Sequence, residues 1–470
     1  MASNSSHKLS EKIESSGASF DLVVVGAGAA GMMGALVAAH RGARVALLEH
    51  DLAGDSNLKV SGGLFPAAGS RFQMAAGVVD SGLAFAADIR AKAAGSINES
   101  IVDAIAAHSL AVVDFLADDV GLPLHLAATV PAPGHAVPRL HATPNESGRE
   151  LHLMLRAAVA ARREITIVDR ATPVAFHVTR DRVTGVNTLL GHDTHQDYRA
   201  AAVLIATGGF AGDARLVATH LPQMRDALHI GAGPNDGIAL RLAQPLGAAL
   251  AMMAGYQGQG HVNPRGGTRL GMGLPHLGAF MINRDCRRFV REDIGPSDLA
   301  RHVLTQPGGV ALEVFDERCH LAASRQGPYR EAFTQGNVLT AATIASLAVL
   351  VDISPDALSA AITLFERHAR GLTPDPLGRQ RFGPPLAPPY YAAWVTGALA
   401  HTQGGLRVDS MARVVRDDGS PIAGLYAAGG AAASLAGAGG DGYLPGNGLA
   451  QSFGLALIAA RHATSLTSLM

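Results

Sequence analysis

From Asp21 to Gly31 the chain reads Asp-Leu-Val-Val-Val-Gly-Ala-Gly-Ala-Ala-Gly, a run of β-branched residues entering three glycines at GxGxxG spacing. Gly26, Gly28 and Gly31 let a backbone approach a pyrophosphate closely. The helix that follows, opening at Ala29 and Ala30, turns free N–H groups toward negative charge. Glu49 ends a second apolar run, Arg44-Val-Ala-Leu-Leu-Glu, about 20 residues on, where an acid can hold a ribose 2′-OH. The elements that must position these residues are a strand, an Ala-rich helix and a second strand. Together they predict a βαβ dinucleotide-binding unit.

Two further glycine-rich stretches decide which dinucleotide. Ala202-Val-Leu-Ile-Ala206-Thr207-Gly208-Gly209-Phe210 lies mid-chain, and Gly424-Leu-Tyr-Ala-Ala-Gly429 precedes Gly446-Asn447-Gly448-Leu449 near the C-terminus. A nicotinamide enzyme normally carries one such unit at one end, so this layout points to FAD. Between these stretches come Asp55-Ser56-Asn57-Leu-Lys-Val-Ser61-Gly62-Gly63, Gly231-Ala-Gly-Pro-Asn235-Asp236-Gly237, Asn283-Arg-Asp-Cys-Arg-Arg288-Phe-Val-Arg-Glu292 and His401-Thr-Gln-Gly-Gly405.

In this order and at these spacings, from Phe20 onward, the chain resembles the fumarate reductase/succinate dehydrogenase flavoprotein superfamily. That superfamily includes 3-ketosteroid Δ1-dehydrogenases and cyclic-ketone desaturases, and the chain is closest to these in character. The resemblance implies an α/β fold: a Rossmann-like FAD-binding domain assembled from N- and C-terminal segments, with an inserted α+β cap. It adds His50, Val174, Ala206, Thr207, Gly208, Asn235 and Asp236 to the expected cofactor contacts, besides the first turn, Glu49 and residues 56–63. Gly429, Asn447, Gly448 and Leu449 complete them. Relatives that attach FAD covalently use a histidine in the 56–63 segment. None is present, so the FAD is expected to be noncovalent. Many fumarate-type relatives have an acid after the glycine matching Gly429, where this chain has Gly430.

The catalytic pattern departs further. Fumarate reductases clamp a dicarboxylate with arginines, because two carboxylates need paired guanidinium forks. At one matching place this chain has Asp293-Ile-Gly-Pro-Ser-Asp298, and at the other Tyr443. His401 and His261 do match active-site histidines of the family. Tyr443, before the Gly446 turn, is the leading candidate, since a phenol can polarise a ketone or, as phenolate, remove an α-proton. Tyr256 is a second phenol, and Arg139 faces either a carboxylate or the FAD phosphates. The expected reaction is desaturation of a cyclic ketone or keto acid: His401 and the turn amides hold the carbonyl, Tyr443 takes the α-proton, and FAD accepts the β-hydride. The alternatives are a fumarate- or enoate-type reductase using Arg139, Arg265 or Arg291, and a flavin-binding redox protein without catalysis.

Composition bounds the remainder. The 470 residues are 48% hydrophobic and 16% charged, enough for a large core, and the net charge of −1 gives no basic excess for nucleic acid. The 20 histidines show no metal-ligand spacing, and two cysteines make no CxxC or CxxCH. Electrons would therefore pass to or from an external partner: oxygen, a quinone or a soluble carrier. Residues 1–19 are polar and Ser-rich and read as a disordered tail. No run approaches the roughly 18 apolar residues of a membrane span, and the expected location is cytoplasmic. Residues 82–118 read as helical, 123–144 as a Pro- and His-rich loop, 151–163 as a helix and 174–205 as a β-meander. Density of Gly, Pro and Arg from 253, and the Pro-rich stretch 382–389, bound the cap at 253–391. The FAD-binding domain then takes 20–252 and 392–470.

Overall fold

Residues 22–25 form an unbroken apolar run, all buried, as a strand covered on both faces requires. The computed structural model describes residues 19–93, 97–127, 131–191, 193–271 and 273–467. Nearly all of the expected N-terminal tail, 1–18, lies outside them. Phe20–Val25 sits inside a sheet whose order is Arg413–Val415, Pro421–Ala427, Arg182–Leu190, Thr194–Ile205, Phe20–Val25, Val45–Leu48 and Ile165–Val168. Phe20–Val25 runs parallel to both its neighbours, and Pro421–Ala427 runs parallel to Thr194–Ile205. The C-terminal segment thus completes the sheet begun by the N-terminal one, as expected.

Small residues allow these layers to close. Helix Ala29–His40 buries eleven of its twelve residues and packs against the C-terminal helix Asn447–Thr467. A Cβ at its Gly34 would lie 2.5 Å from Leu204 Cδ2, so a larger residue there would have to push that side chain aside. The expected helix over 82–118 is two helices, Gly82–Lys92 and Glu99–Asp114, because Ala93 leaves helical geometry at φ −63°, ψ 130°. A π-helical turn, Phe115–Asp119, extends the second. Glu99–Asp119 is long and apolar enough to cross a membrane, yet half of it is buried and it packs on Gly82–Lys92 and Asn447–Thr467. The meander is formed by Ala171–Thr179, Arg182–Leu190 and Thr194–Ile205. Two short strands in the 123–144 segment, His125–Leu126 and Leu140–Ala142, pair with each other, and Leu140–Ala142 pairs with Phe65–Pro66.

The second layer is a sheet with Tyr390–Thr402 as its spine. That strand pairs with Leu228–His229, Tyr256–Val262, Val310–Asp316 and Leu339–Ala341. Two separate apolar clusters cover it, one around Phe315 and Tyr329 and the other around Phe280 and Phe365. The spine crosses position 391 and ends only at Thr402, and Leu228–His229 joins from before residue 252. Sheet pairing therefore does not follow the linkers that composition marks. The consequence for function is direct: His401 stands at the tip of a cap strand, where the chain passes back to the first sheet.

Candidate active site

The first glycine turn has the geometry its residue types require. Gly26 adopts φ +100° and donates its N–H to Leu48 O at 2.7 Å. A Cβ at Gly31 would sit 1.7 Å from Gly26 O, so this contact is possible only for glycine. Gly28 differs: no protein atom lies within 4 Å of where its Cβ would be, and it faces a cavity. No side chain caps the helix that starts there, leaving its positive end for an anion. Glu49 Oε2 accepts from Ala27 N at 2.6 Å, and Glu49 Oε1 lies 2.7 Å from His50 Nδ1. Both side chains border the same cavity.

That cavity encloses about 620 Å³ between the two layers. Residues 56–63 form one wall, 206–209 a second, and 429–430 with 448–449 a third. The 56–63 wall is tied across to the next loop by Asn57 Oδ1, which accepts from Ala232 N at 2.8 Å. Gly208, at φ +79°, leaves room for Asn235, whose Oδ1 would lie 2.4 Å from a Cβ placed there. Two groups beside the walls are left without protein partners: the buried Thr207 hydroxyl, and both amide atoms of Asn447. Buried polar atoms of this kind need a ligand or water to satisfy them. An open anion-binding turn, a ribose acid and the unpartnered Thr207 hydroxyl fit an FAD laid along the cavity.

At the far end three groups converge. Tyr443 Oη accepts from Gly448 N at 3.4 Å. A Cβ on Gly448 would be 3.4 Å from Tyr443 Oη and 3.8 Å from His401 Nε2, so glycine keeps this corner open. The two rings meet edge to face, centroids 5.7 Å apart. Burial pushes the His401 imidazole below its ordinary range and the Tyr443 phenol above its own. Both side chains are therefore neutral near pH 7. The residual exposure of each is to the cavity.

Other sequence candidates are placed elsewhere. Arg139 is fully buried, with its guanidinium held by Asp80 at 2.9 Å and Asp88 at 2.5 Å, and it does not reach the cavity. His261 is turned into the cap, Nδ1 3.0 Å from Glu313 Oε2. Tyr256 is buried against Ser297 O at 3.5 Å and its N–H donates to Gly439 O at 3.1 Å. It supports the loop that carries Tyr443 and does not face substrate space. Val174 is exposed; its neighbours 171–173 line the cavity instead. Gly31 and Asn447 act behind the wall, since neither borders the cavity. Of the alternative arginines, Arg291 is paired with Asp293 at 3.1 Å and Arg265 is exposed.

Among the cavity side chains that escape a reading of the sequence are Gln257, Gln259 and Arg269. The alternation Tyr-Gln-Gly-Gln-Gly-His at 256–261 is the one available signal, a strand with polar residues on one face. Arg269 carries none, as it differs from Arg265 only in how the loop folds.

Comparison with known proteins agrees with this geometry. A family model described as FAD binding domain matches residues 21–449. The fumarate reductase (cytochrome) of Shewanella frigidimarina is 28% identical over 415 residues, covering 87% of this chain and 71% of that one. The 4-oxocyclohexanecarboxylate 2-dehydrogenase of Sinomonas cyclohexanicum is 31% identical over 296 residues, 55% of this chain and 50% of that one. The fold is shared with the 3-ketosteroid Δ1-dehydrogenase of Sterolibacterium denitrificans, at TM-score 0.78 and 19% identity, covering 95% of this chain and 100% of that one. An anion-binding turn, a cavity between two layers and a match spanning 21–449 lead to one conclusion: the chain belongs to the FAD binding domain family, as an FAD-dependent oxidoreductase.

Proposed function

We propose that the enzyme removes two hydrogens from a CH–CH bond next to a carbonyl, turning a saturated cyclic ketone or keto acid into its enone. The observation that carries this reading is the convergence of Tyr443 Oη and His401 Nε2 on the open corner above Gly448. A carbonyl oxygen placed there meets the phenol O–H. Because Gly448 N–H already donates to that oxygen, the tyrosine hydrogen is free to point into the cavity. Polarising the carbonyl lowers the pKa of its α-protons, and a neighbouring base can then take one.

His401 is that base. Its Nδ1 faces Thr402 O at 3.3 Å, an acceptor, which places the ring proton on Nδ1 and leaves a lone pair on Nε2. Gln403 Nε2, a donor, approaches the same nitrogen only at 3.5 Å, so the nearer carbonyl decides the tautomer. This exchanges the two roles expected from the sequence: Tyr443 polarises and His401 accepts the proton. The bound FAD supplies the acceptor for the hydride leaving the β-carbon, and the electrons pass on to an acceptor outside the chain. The name of the Sinomonas relative, a dehydrogenase of a cyclic keto acid, is in line with this chemistry.

Tyr443→Phe tests the assignment. The variant is expected to keep FAD bound while slowing anaerobic flavin reduction by a saturated ketone roughly 10²- to 10³-fold. An unchanged rate removes Tyr443 from the reaction.

A further inference from the structure

Among the arginines of the described residues, Arg269 alone borders the cavity. Its guanidinium makes a single long hydrogen bond among the described residues, 3.5 Å from Nη2 to Ile230 O, and no carboxylate of those residues pairs with it. The other buried guanidiniums of this protein are matched: Arg139 to Asp80 and Asp88, Arg379 to Glu292, Arg288 to Glu292 and Asp375. A partly desolvated cation without a counter-charge is costly, and burial alone lowers its pKa. Such a group is retained where an incoming anion completes it.

The fold places this cation near the reacting corner and away from the pyrophosphate turn. Arg269 forms an isolated bridge with Val262 on the cap strand that pairs with Tyr390–Thr402. Its guanidinium reaches back to Ile230, whose N–H bonds Leu399 O at 3.0 Å. Leu399 is two residues before His401 on the same strand. A dicarboxylate would need a second fork, whereas the opposite end offers only the neutral Tyr443 and His401.

We infer that Arg269 anchors the carboxylate of a compact cyclic keto acid, with the ketone of the same molecule at Tyr443 and His401. This rests on the carbonyl reading above and narrows it, because a neutral steroid ketone leaves Arg269 uncompensated. The specificity test uses the FAD-loaded enzyme, with 4-oxocyclohexanecarboxylate and its methyl ester as reductants of the flavin. Wild type is expected to prefer the acid. Arg269→Met should raise the half-saturating acid concentration roughly 10- to 100-fold and collapse the acid-over-ester preference, and Arg269→Lys should restore part of it. Equal effects on acid and ester overturn the inference, as does loss of FAD from Arg269→Met, which would assign the residue to the cofactor. If no ketone reduces the flavin, the carbonyl reading fails by itself. The anion site is then read from the shift of the oxidised flavin spectrum on adding cyclohexanecarboxylate. A shift in wild type that is lost in Arg269→Met upholds the site, and no shift in wild type overturns it.

Discussion

Burial keeps His401 and Tyr443 uncharged near neutrality, as the proposed reaction requires. If His401 Nε2 receives the α-proton, protonating it beforehand abolishes that function. Its pKa is displaced downward by desolvation, so flavin reduction should be flat near neutrality and fall only on acidification, with its inflection below 6.5. A pH profile of single-turnover reduction checks this. An inflection at or above 6.5, or the same inflection in His401→Asn, contradicts it. Legibility in the sequence differs among these residues for physical reasons. Gly26, Gly28 and Glu49 act through local backbone geometry, which spacing records. The partner of His261 is Glu313, 52 residues away, and those of Arg139 are Asp80 and Asp88, 59 and 51 away. No spacing rule distinguishes a histidine that faces substrate from one that faces a buried acid.

The first turn and helix separate binding from folding in one element. Gly31 is in contact with Gly26 O and Gly28 with nothing. Gly31→Ala must displace the backbone and should cost about 3 kcal/mol of stability. Gly28→Val should leave the apoprotein about as stable as wild type while abolishing FAD binding, because its side chain fills the space offered to the pyrophosphate. Urea unfolding of both apoproteins and flavin content after purification check the pair. Comparable destabilisation in the two, or FAD retained by Gly28→Val, contradicts the division. The stretch ending in Glu292 carries a different lesson. It lies just before the position matched to a family arginine, and Glu292 itself is buried under Arg288 and Arg379 and accepts from Met281 N at 3.1 Å. It holds the cap together. Element types along the meander and first βαβ unit were legible because period and glycine chemistry agree there. The cap's limits were not, because Tyr390–Thr402 serves the second sheet and then hands the chain to the first.

At the scale of the whole molecule, two layered units meet around one cavity. The first brings the anion-binding turn and the C-terminal helix, and the second brings His401, the glutamines and Arg269. Among the described residues two histidines border that cavity, His50 and His401, and His50 is held by Glu49 at 2.7 Å. With no histidine in the 56–63 wall, FAD is expected to leave with the supernatant on acid or urea denaturation; yellow colour retained on the washed polypeptide would contradict noncovalent binding. The most direct test of the central claim is anaerobic mixing of the FAD-loaded enzyme with saturated compounds, following loss of flavin visible absorbance. The compounds are 4-oxocyclohexanecarboxylate, cyclohexanone, a 3-oxosteroid and succinate. Bleaching by a ketone, with the keto acid effective at the lowest concentration, is the predicted result. Bleaching by succinate alone, or none by any ketone while an enone or enoate reoxidises the dithionite-reduced enzyme, would contradict it.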